Sequence, residues 1–288
     1  MSHAQEMQGV LYIVATPIGN LGDISARALD RLRGVDLIAA EDTRHSKKLL
    51  SHYGIRTSLC ALHEHNEREA SAKLLAALQR GENVALISDA GTPLISDPGF
   101  YLVRAAHRAG LRVVPLPGPC ALVAALSVAG LPTDRFVFEG FLPARPAARR
   151  QRLQELAAEP RTLVCYESSH RINDCLADMA AVLGAAREAT LARELTKTFE
   201  TVRCDALGEL AGWVQADGNQ QKGEFVIVVH GAQERAADID AAVRRVLEVL
   251  LAELPLKQAA SLAARITGVS KNTLYELGIR LKQARQTE

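Results

Sequence analysis

Short aliphatic runs alternate with segments of helical period along the first 117 residues. Gly9 to Val14, Val35 to Ala39, residues 57 to 62, Val84 to Ser88 and RVVPLP at 112–117 are bounded by Gly, Pro, Asp or Asn, a pattern that predicts buried strands. Between them apolar positions return every three or four residues. Ala28, Leu29 and Leu32 share one face of a first helix, and further helices are expected over 45–53, 67–80 and 98–109. Gly54, Gly81 and Gly110 stand where helix ends favour glycine. Asn66 with Glu69 three residues on has the form of a capping box. Ahead of the fourth helix, Asp97 is the expected cap, Pro98 suits the first helical position, and Gly99 leaves room for a close neighbour. Five strands alternating with four helices predict a largely parallel α/β sheet.

The stretch PLPGP at 115–119 breaks this rhythm and reads as a hinge. Beyond it the alternation resumes. A helix is expected over 120–129, strands near 135–140, 161–166, 187–193 and 223–230, and helices near 147–158, 169–183 and 206–216, a second α/β half with four strands. The polar GAQERAAD at 231–238 reads as a linker. After it no strand pattern returns, and three helices fit 239–253, 256–266 and 270–284, with the look of a helix-turn-helix: Ala260 permits close helix contact, Gly268 sits at the turn, and Val269 and Leu274 pack between helices. The expected organisation is an N-terminal α/β domain at 1–117, a second at 118–232 and a helical tail at 239–288.

Composition narrows the class. With 288 residues and 48% hydrophobic content the chain can bury a large core. A net charge of +1 excludes a uniformly basic coat. The charge is uneven, however: between Pro255 and Arg285 six Lys or Arg stand against one Glu, and the rest of the chain is net negative. Such a tail suits either a phosphate backbone or a packing bundle. Five scattered cysteines without CxxC spacing argue for reduced thiols and against a disulfide framework. His63 and His65 flank Glu64, but one short cluster does not make a metal site, and no metal is expected. MSHAQEMQG lacks the basic and apolar regions of a leader, and no apolar stretch approaches bilayer length, so a soluble, cytoplasmic protein is expected.

The candidate chemistry lies in loops at the expected strand ends: ATPIGNLGD, EDTRHSKK, SDAGTPLISDPG, PLPGPCA, CYESSHR and ARELTK. A purely structural sheet needs no such series along one edge, and the carboxyl ends of parallel strands are where ligands bind. No GxGxxG follows the first strand, which weighs against a dinucleotide-dependent reductase.

These loops, in this order, closely resemble the ribosomal RNA small subunit methyltransferase I family of the tetrapyrrole methylase superfamily. The likeness runs in register over roughly residues 10 to 230 and extends to the helical tail. The resemblance implies two α/β domains with a cleft between them, S-adenosyl-L-methionine as cofactor, a homodimer, and methylation of a cytidine 2'-hydroxyl in the decoding region of 16S rRNA, on the 30S subunit. It implies cofactor contacts from Pro17 and from Ala90, Gly91, Thr92 and Pro93. An aspartate usual in that loop is Thr92 here, leaving Asp89 or Asp97 to receive the methionine ammonium, with the backbone around Ile95 and Ser96 holding the rest. Cys120 and Ala121 match a small-residue pair in relatives, and Tyr166, Ala192 and Glu224 match positions near the adenosine.

A ribose hydroxyl is a weak nucleophile, so alignment and a proton acceptor both matter. Glu194 and Lys197 in ARELTK are the catalytic candidates: Glu194 as proton acceptor, Lys197 as a neutral base with depressed pKa or as a phosphate-orienting cation. A salt-bridged loop explains the same residues equally well. Arg44, Lys47 and Lys48, then Arg145, Arg149 and Arg150, with Lys271 in the tail, are expected to meet RNA, 143–150 as a loop that orders on it. Tyr166, Phe141 or Phe199 can stack on a splayed base. Two other readings stay open: a tetrapyrrole methyltransferase, which has little use for the basic tail, and a ligand-sensing regulator that reads DNA through residues 256–284.

Overall fold

The computed structural model describes residues 8–232 and 241–285. Most of the expected linker, and the start of the helix expected from 239, lie outside the described residues. Contacts divide the chain into two units, one through Gly231 and one from Ala232.

The first unit contains two five-stranded sheets. Strands β1 (Val10–Val14), β2 (Leu37–Ala40), β3 (Ser58–Ala61), β4 (Val84–Ile87) and β5 (Arg112–Leu116) form the first, in the order β3-β2-β4-β1-β5 and parallel throughout. Helices α1 (Ala26–Gly34), α2 (Thr43–His52), α3 (Glu67–Gln79) and α4 (Phe100–Arg108) cross between these strands. The inner strands β1, β2 and β4 bury residues on both faces, one set packing around Leu32, Ile38 and Ile87, the other around Leu11, Leu78 and Leu102, as expected where crossovers cover a parallel sheet.

Two helix starts differ from the sequence reading. Asn66 precedes α3, but its side chain makes no cap; Asn66 Oδ1 accepts from the His63 amide and Glu69 pairs with Lys73 instead. Asp97 does not cap α4, which begins after Gly99. Glu67 does so from α3: Oε1 accepts from the amides of Gly99 (2.8 Å) and Tyr101 (3.0 Å). A carboxylate at a helix start satisfies orphan donors and complements the helix dipole. Asp97 is thereby left free to face the sheet's end.

After α5 (Ala121–Val128), the second sheet comprises β6 (Phe136–Phe141), β7 (Thr162–Ser168), β8 (Glu188–Arg193), β9 (Thr201–Ala206) and β10 (Glu224–Val229), in the order β6-β7-β10-β8-β9. Only β6 and β7 run parallel. The sheet thus has five strands where four were expected. The missed strand, β9, is TVRCDA at a sheet edge, and its alternating exposure and charges mask it. Helices α6 (Pro146–Leu156), α7 (Ile172–Leu183) and α8 (Leu207–Ala216) accompany this sheet. Residues 146–150 are therefore helical rather than part of a loop awaiting RNA.

The second unit is helical: α9 (Ala241–Glu253), α10 (Leu256–Thr267) and α11 (Lys271–Arg285). Ala259, Ala260 and Ala263 are fully buried against Leu247 and Leu274. Gly268 ends α10 in the left-handed conformation at φ 74°, and Ser270 Oγ accepts from the Thr273 amide as α11 begins.

Candidate active site

The ends of β1 and β4 are stitched together. Thr16 and Gly91 exchange backbone hydrogen bonds of 2.8 and 3.0 Å, and Thr16 Oγ1 donates to the Ser88 carbonyl. The loop after β4 is also tied to the hinge ahead of α5, because Thr92 Oγ1 donates to the Pro119 carbonyl at 3.0 Å. That bond gives Thr92 a structural role: it staples the loop after β4 to the hinge.

Between the sheets lies a cavity of about 360 Å³, within the range of small-ligand sites. Of the residues expected at a cofactor, Asp89, Ala90, Gly91, Thr92, Ile95, Ser96, Asp97, Cys120, Ala121, Tyr166 and Glu224 line it, and Lys197 lines it too. Pro17 and Pro93 do not, and Ala192 is fully buried in the core with Val226 and Ala125. Ile18, Ser168, Leu195 and Val226 also line the cavity. These are mostly apolar strand-end residues, with no chemical signature that could have marked them in the sequence.

One corner is acidic. Glu41, at the end of β2, and Asp97 face the same space as Asp89, whose Oδ1 accepts from the Asp42 amide at 3.0 Å. Burial, then the negative charges of Glu41 and Asp89, push Asp97 up to about 6, against a holding effect from the Ser88 hydroxyl. Glu41 is raised as well, by burial and then by Asp89. Three carboxyl groups facing one space, two of them held back from ionising by burial and mutual repulsion, make a receptor for a cation.

The opposite wall comes from the second sheet. Tyr166 Oη accepts from the Leu122 amide at 3.0 Å at the start of α5, and burial drives its phenol pKa upward. Its ring meets Phe138 and Phe141 edge-on. Phe141 and Phe199 are 54% and 70% exposed, so they, unlike Tyr166, present free ring faces.

The loop after β8 holds the catalytic candidates. Lys197 Nζ donates to Glu194 Oε1 and Glu224 Oε2, each at 2.8 Å, and the Glu224 amide donates to Glu194 at 3.0 Å. Burial opposes the lysine's charge, but the two carboxylates outweigh it and its pKa is raised. The shift runs opposite to the depressed pKa that a neutral lysine base requires and favours the other expected role, a cation that orients a phosphate. For Glu194, burial is outweighed by the Lys197 bond and the Glu224 amide, and its pKa is lowered. Glu194 does not line the cavity; it braces Lys197. A Cβ at Gly223 would lie 2.4 Å from the Glu194 carboxylate, and one at Gly19 would lie 2.3 Å from Lys197 Cγ. Arg193 Nη1 and Nη2 donate to the carbonyls of Lys222 and Phe199, tying the segment ahead of β10 and the far end of this loop to the end of β8.

Leu94, Ser96, Glu194 and Thr196 all have φ between 52° and 72°. Non-glycine residues there are strained, and strain of this kind concentrates at functional sites.

Most of the expected basic rim is available: Arg44, Lys47, Lys48, Arg145 and Lys271 are exposed, and Arg150 is half-exposed while pairing with Asp178. Arg149 is a correction. It is 2% exposed, with Nε and Nη2 each 2.7 Å from Asp178 Oδ2, so it closes a buried ion pair between α6 and α7 and cannot reach RNA.

The two sheets and the cleft between them define a methylase of the tetrapyrrole type: residues 10–211 match the family Tetrapyrrole (Corrin/Porphyrin) Methylases. Cobalt precorrin-4 methyltransferase shares the fold at TM-score 0.58 and 17% identity, over 80% of this chain and 97% of that one. The uroporphyrin-III-C-methyltransferase of Thermus thermophilus does so at 0.55 and 21%, over 77% and 94%. Residues 237–282 match the RsmI C-terminal HTH domain. Ribosomal RNA small subunit methyltransferase I of Pseudomonas aeruginosa is 63% identical over 93% of this chain and 96% of its own length, and that of Escherichia coli O157:H7 is 58% identical over 96% of each. The chain belongs to the ribosomal RNA small subunit methyltransferase I family.

Proposed function

We propose that this protein transfers a methyl group from S-adenosyl-L-methionine to the ribose 2'-hydroxyl of a cytidine in the decoding region of 16S rRNA, on the 30S subunit, as a cytoplasmic homodimer. The observation that carries the reading is the cleft itself: a cavity of about 360 Å³ with an acidic corner on one side and a lysine on the other, in a chain that matches ribosomal RNA methyltransferases over nearly its whole length. No helix among the described residues is long and apolar enough to cross a membrane.

The residues present fit the cofactor. Its ammonium suits the corner of Glu41, Asp89 and Asp97, its amino-acid portion the backbone around Ile95 and Ser96, and its adenosine the wall of Cys120, Ala121, Tyr166 and Glu224. When bound, it supplies an electrophilic methyl. Lys197, held charged by Glu194 and Glu224, orients the phosphate next to the target ribose, a role that matches its ionisation better than proton abstraction does. Glu194 positions Lys197. Phe141 and Phe199 offer faces on which a splayed cytosine stacks. The basic residues Arg44, Lys47, Lys48, Arg145, Arg150 and Lys271 contact RNA phosphates.

The test is methyl transfer from labelled S-adenosylmethionine to purified 30S subunits and to protein-free 16S rRNA, with the modified nucleotide mapped. Label on a cytidine ribose in the subunit sample is expected. Cofactor binding without label on either RNA would remove the RNA assignment and turn attention to tetrapyrrole substrates.

A further inference from the structure

A second concavity lies outside the cleft, between α3 and α4 of the first sheet. It is a groove of about 540 Å³ with Ser71, Leu75 and Ala105 along its floor, Arg68 on one bank and Arg104 and Arg108 on the other. All three arginines are exposed, and none has a carboxylate within ion-pair distance among the described residues. The two acidic residues that flank Arg68 in α3 are already engaged. Glu67 accepts from the start of α4, and Glu69 pairs with Lys73.

Two aromatic rings hold the guanidinium groups in place. Arg68 Cζ lies 4.9 Å from the Tyr101 ring centre and its Nη2 donates to Tyr101 Oη at 3.0 Å, while Arg104 Cζ lies 5.7 Å from the ring of Phe100. A guanidinium held over a ring keeps its remaining N–H donors for an anion, all but the one that Arg68 gives to Tyr101, and has less rotamer freedom for binding to freeze. Phe100 is 55% exposed, although it packs on no core. The buried Ser71 hydroxyl on the groove floor has no hydrogen-bond partner.

We infer that this groove docks the sugar-phosphate backbone of the RNA substrate, with Arg68, Arg104 and Arg108 on phosphates. The inference rests on the proposed activity toward 16S rRNA and adds a contact surface away from the cleft. Three unpaired cations facing one another across a groove favour a polyanion over a second copy of this chain, whose identical patch would repel them.

The experiment uses the full-length protein carrying R68A, R104A and R108A together, and a second variant with lysine at the three positions. Affinity for 16S rRNA in 30S subunits is measured from low to moderate salt, alongside cofactor affinity, kcat and oligomeric state. The alanine variant is expected to bind RNA about tenfold more weakly and to lower the slope of log affinity against log salt by about 2. Its cofactor affinity and its kcat at saturating RNA should stay at wild-type values, and the lysine variant should recover most of the lost affinity. Unchanged RNA affinity and slope in the alanine variant, while the wild type binds RNA, overturns the groove and leaves the proposed function standing. A changed oligomeric state also overturns it, assigning the groove to a second copy. Absence of RNA binding by the wild type removes the proposed function and this inference with it.

Discussion

Asp97 works against the stability of the ligand-free protein. Its folded pKa of about 6 stands above the ordinary 3.8, so between those values the folded state binds more protons than the unfolded one. Stability therefore falls as pH rises through that window and stays lower above it. D97N is expected to melt higher than wild type at pH 7.5, with the difference gone near pH 4, in thermal denaturation without cofactor. The same variant should bind S-adenosylmethionine about tenfold more weakly at pH 7.5, as expected for the loss of one charge-assisted contact. If calorimetry showed unchanged affinity, the ammonium would have to sit elsewhere. Lys197 gives a contrasting case. K197M should lower kcat by at least about tenfold through lost alignment, with cofactor affinity changed less than about threefold; equal losses in both would make Lys197 a cofactor residue instead.

At the scale of elements, the cap on α4 comes from α3, and sequence reasoning could not have found it. Local patterns such as D-P-G or N-x-x-E advertise caps made by neighbours in sequence, whereas Glu67 and Gly99 are joined only once the sheet has brought α3 and α4 together. E67A should cost about 1–2 kcal/mol in urea denaturation, and E67Q, which keeps an acceptor but loses the charge at the helix start, roughly half of that. The core strands were readable because β4 and its neighbours are aliphatic on both faces. β9 escaped because Arg203 and Asp205 interrupt an edge strand, where pairing and not burial holds the backbone. Arg149 was misread for the opposite reason: PARPAARR looks like a solvated basic run, and only the helix it forms turns one arginine inward to Asp178.

For the whole molecule, the loops that announced a cleft in the sequence do meet in one, and most of the polar residues expected there line it. Residues without polar chemistry, such as Ile18 and Leu195, were invisible until the walls were assembled. The basic tail raises a separate expectation. K271E with R280E, both on the exposed side of α11, should weaken affinity for 30S subunits about tenfold and flatten its salt dependence, while cofactor affinity remains that of the wild type. Unaltered RNA binding would make the tail a packing module.

Gly19 belongs to the loop after β1, and the missing Cβ is the slot through which the Lys197 stem passes from the other sheet. The two halves of the cleft are therefore not interchangeable parts. A chimera that takes residues up to the hinge from a relative with a larger residue at this position would displace the lysine, although every segment in it came from a working enzyme. Recombination within this family must carry the glycine and the lysine together, or neither.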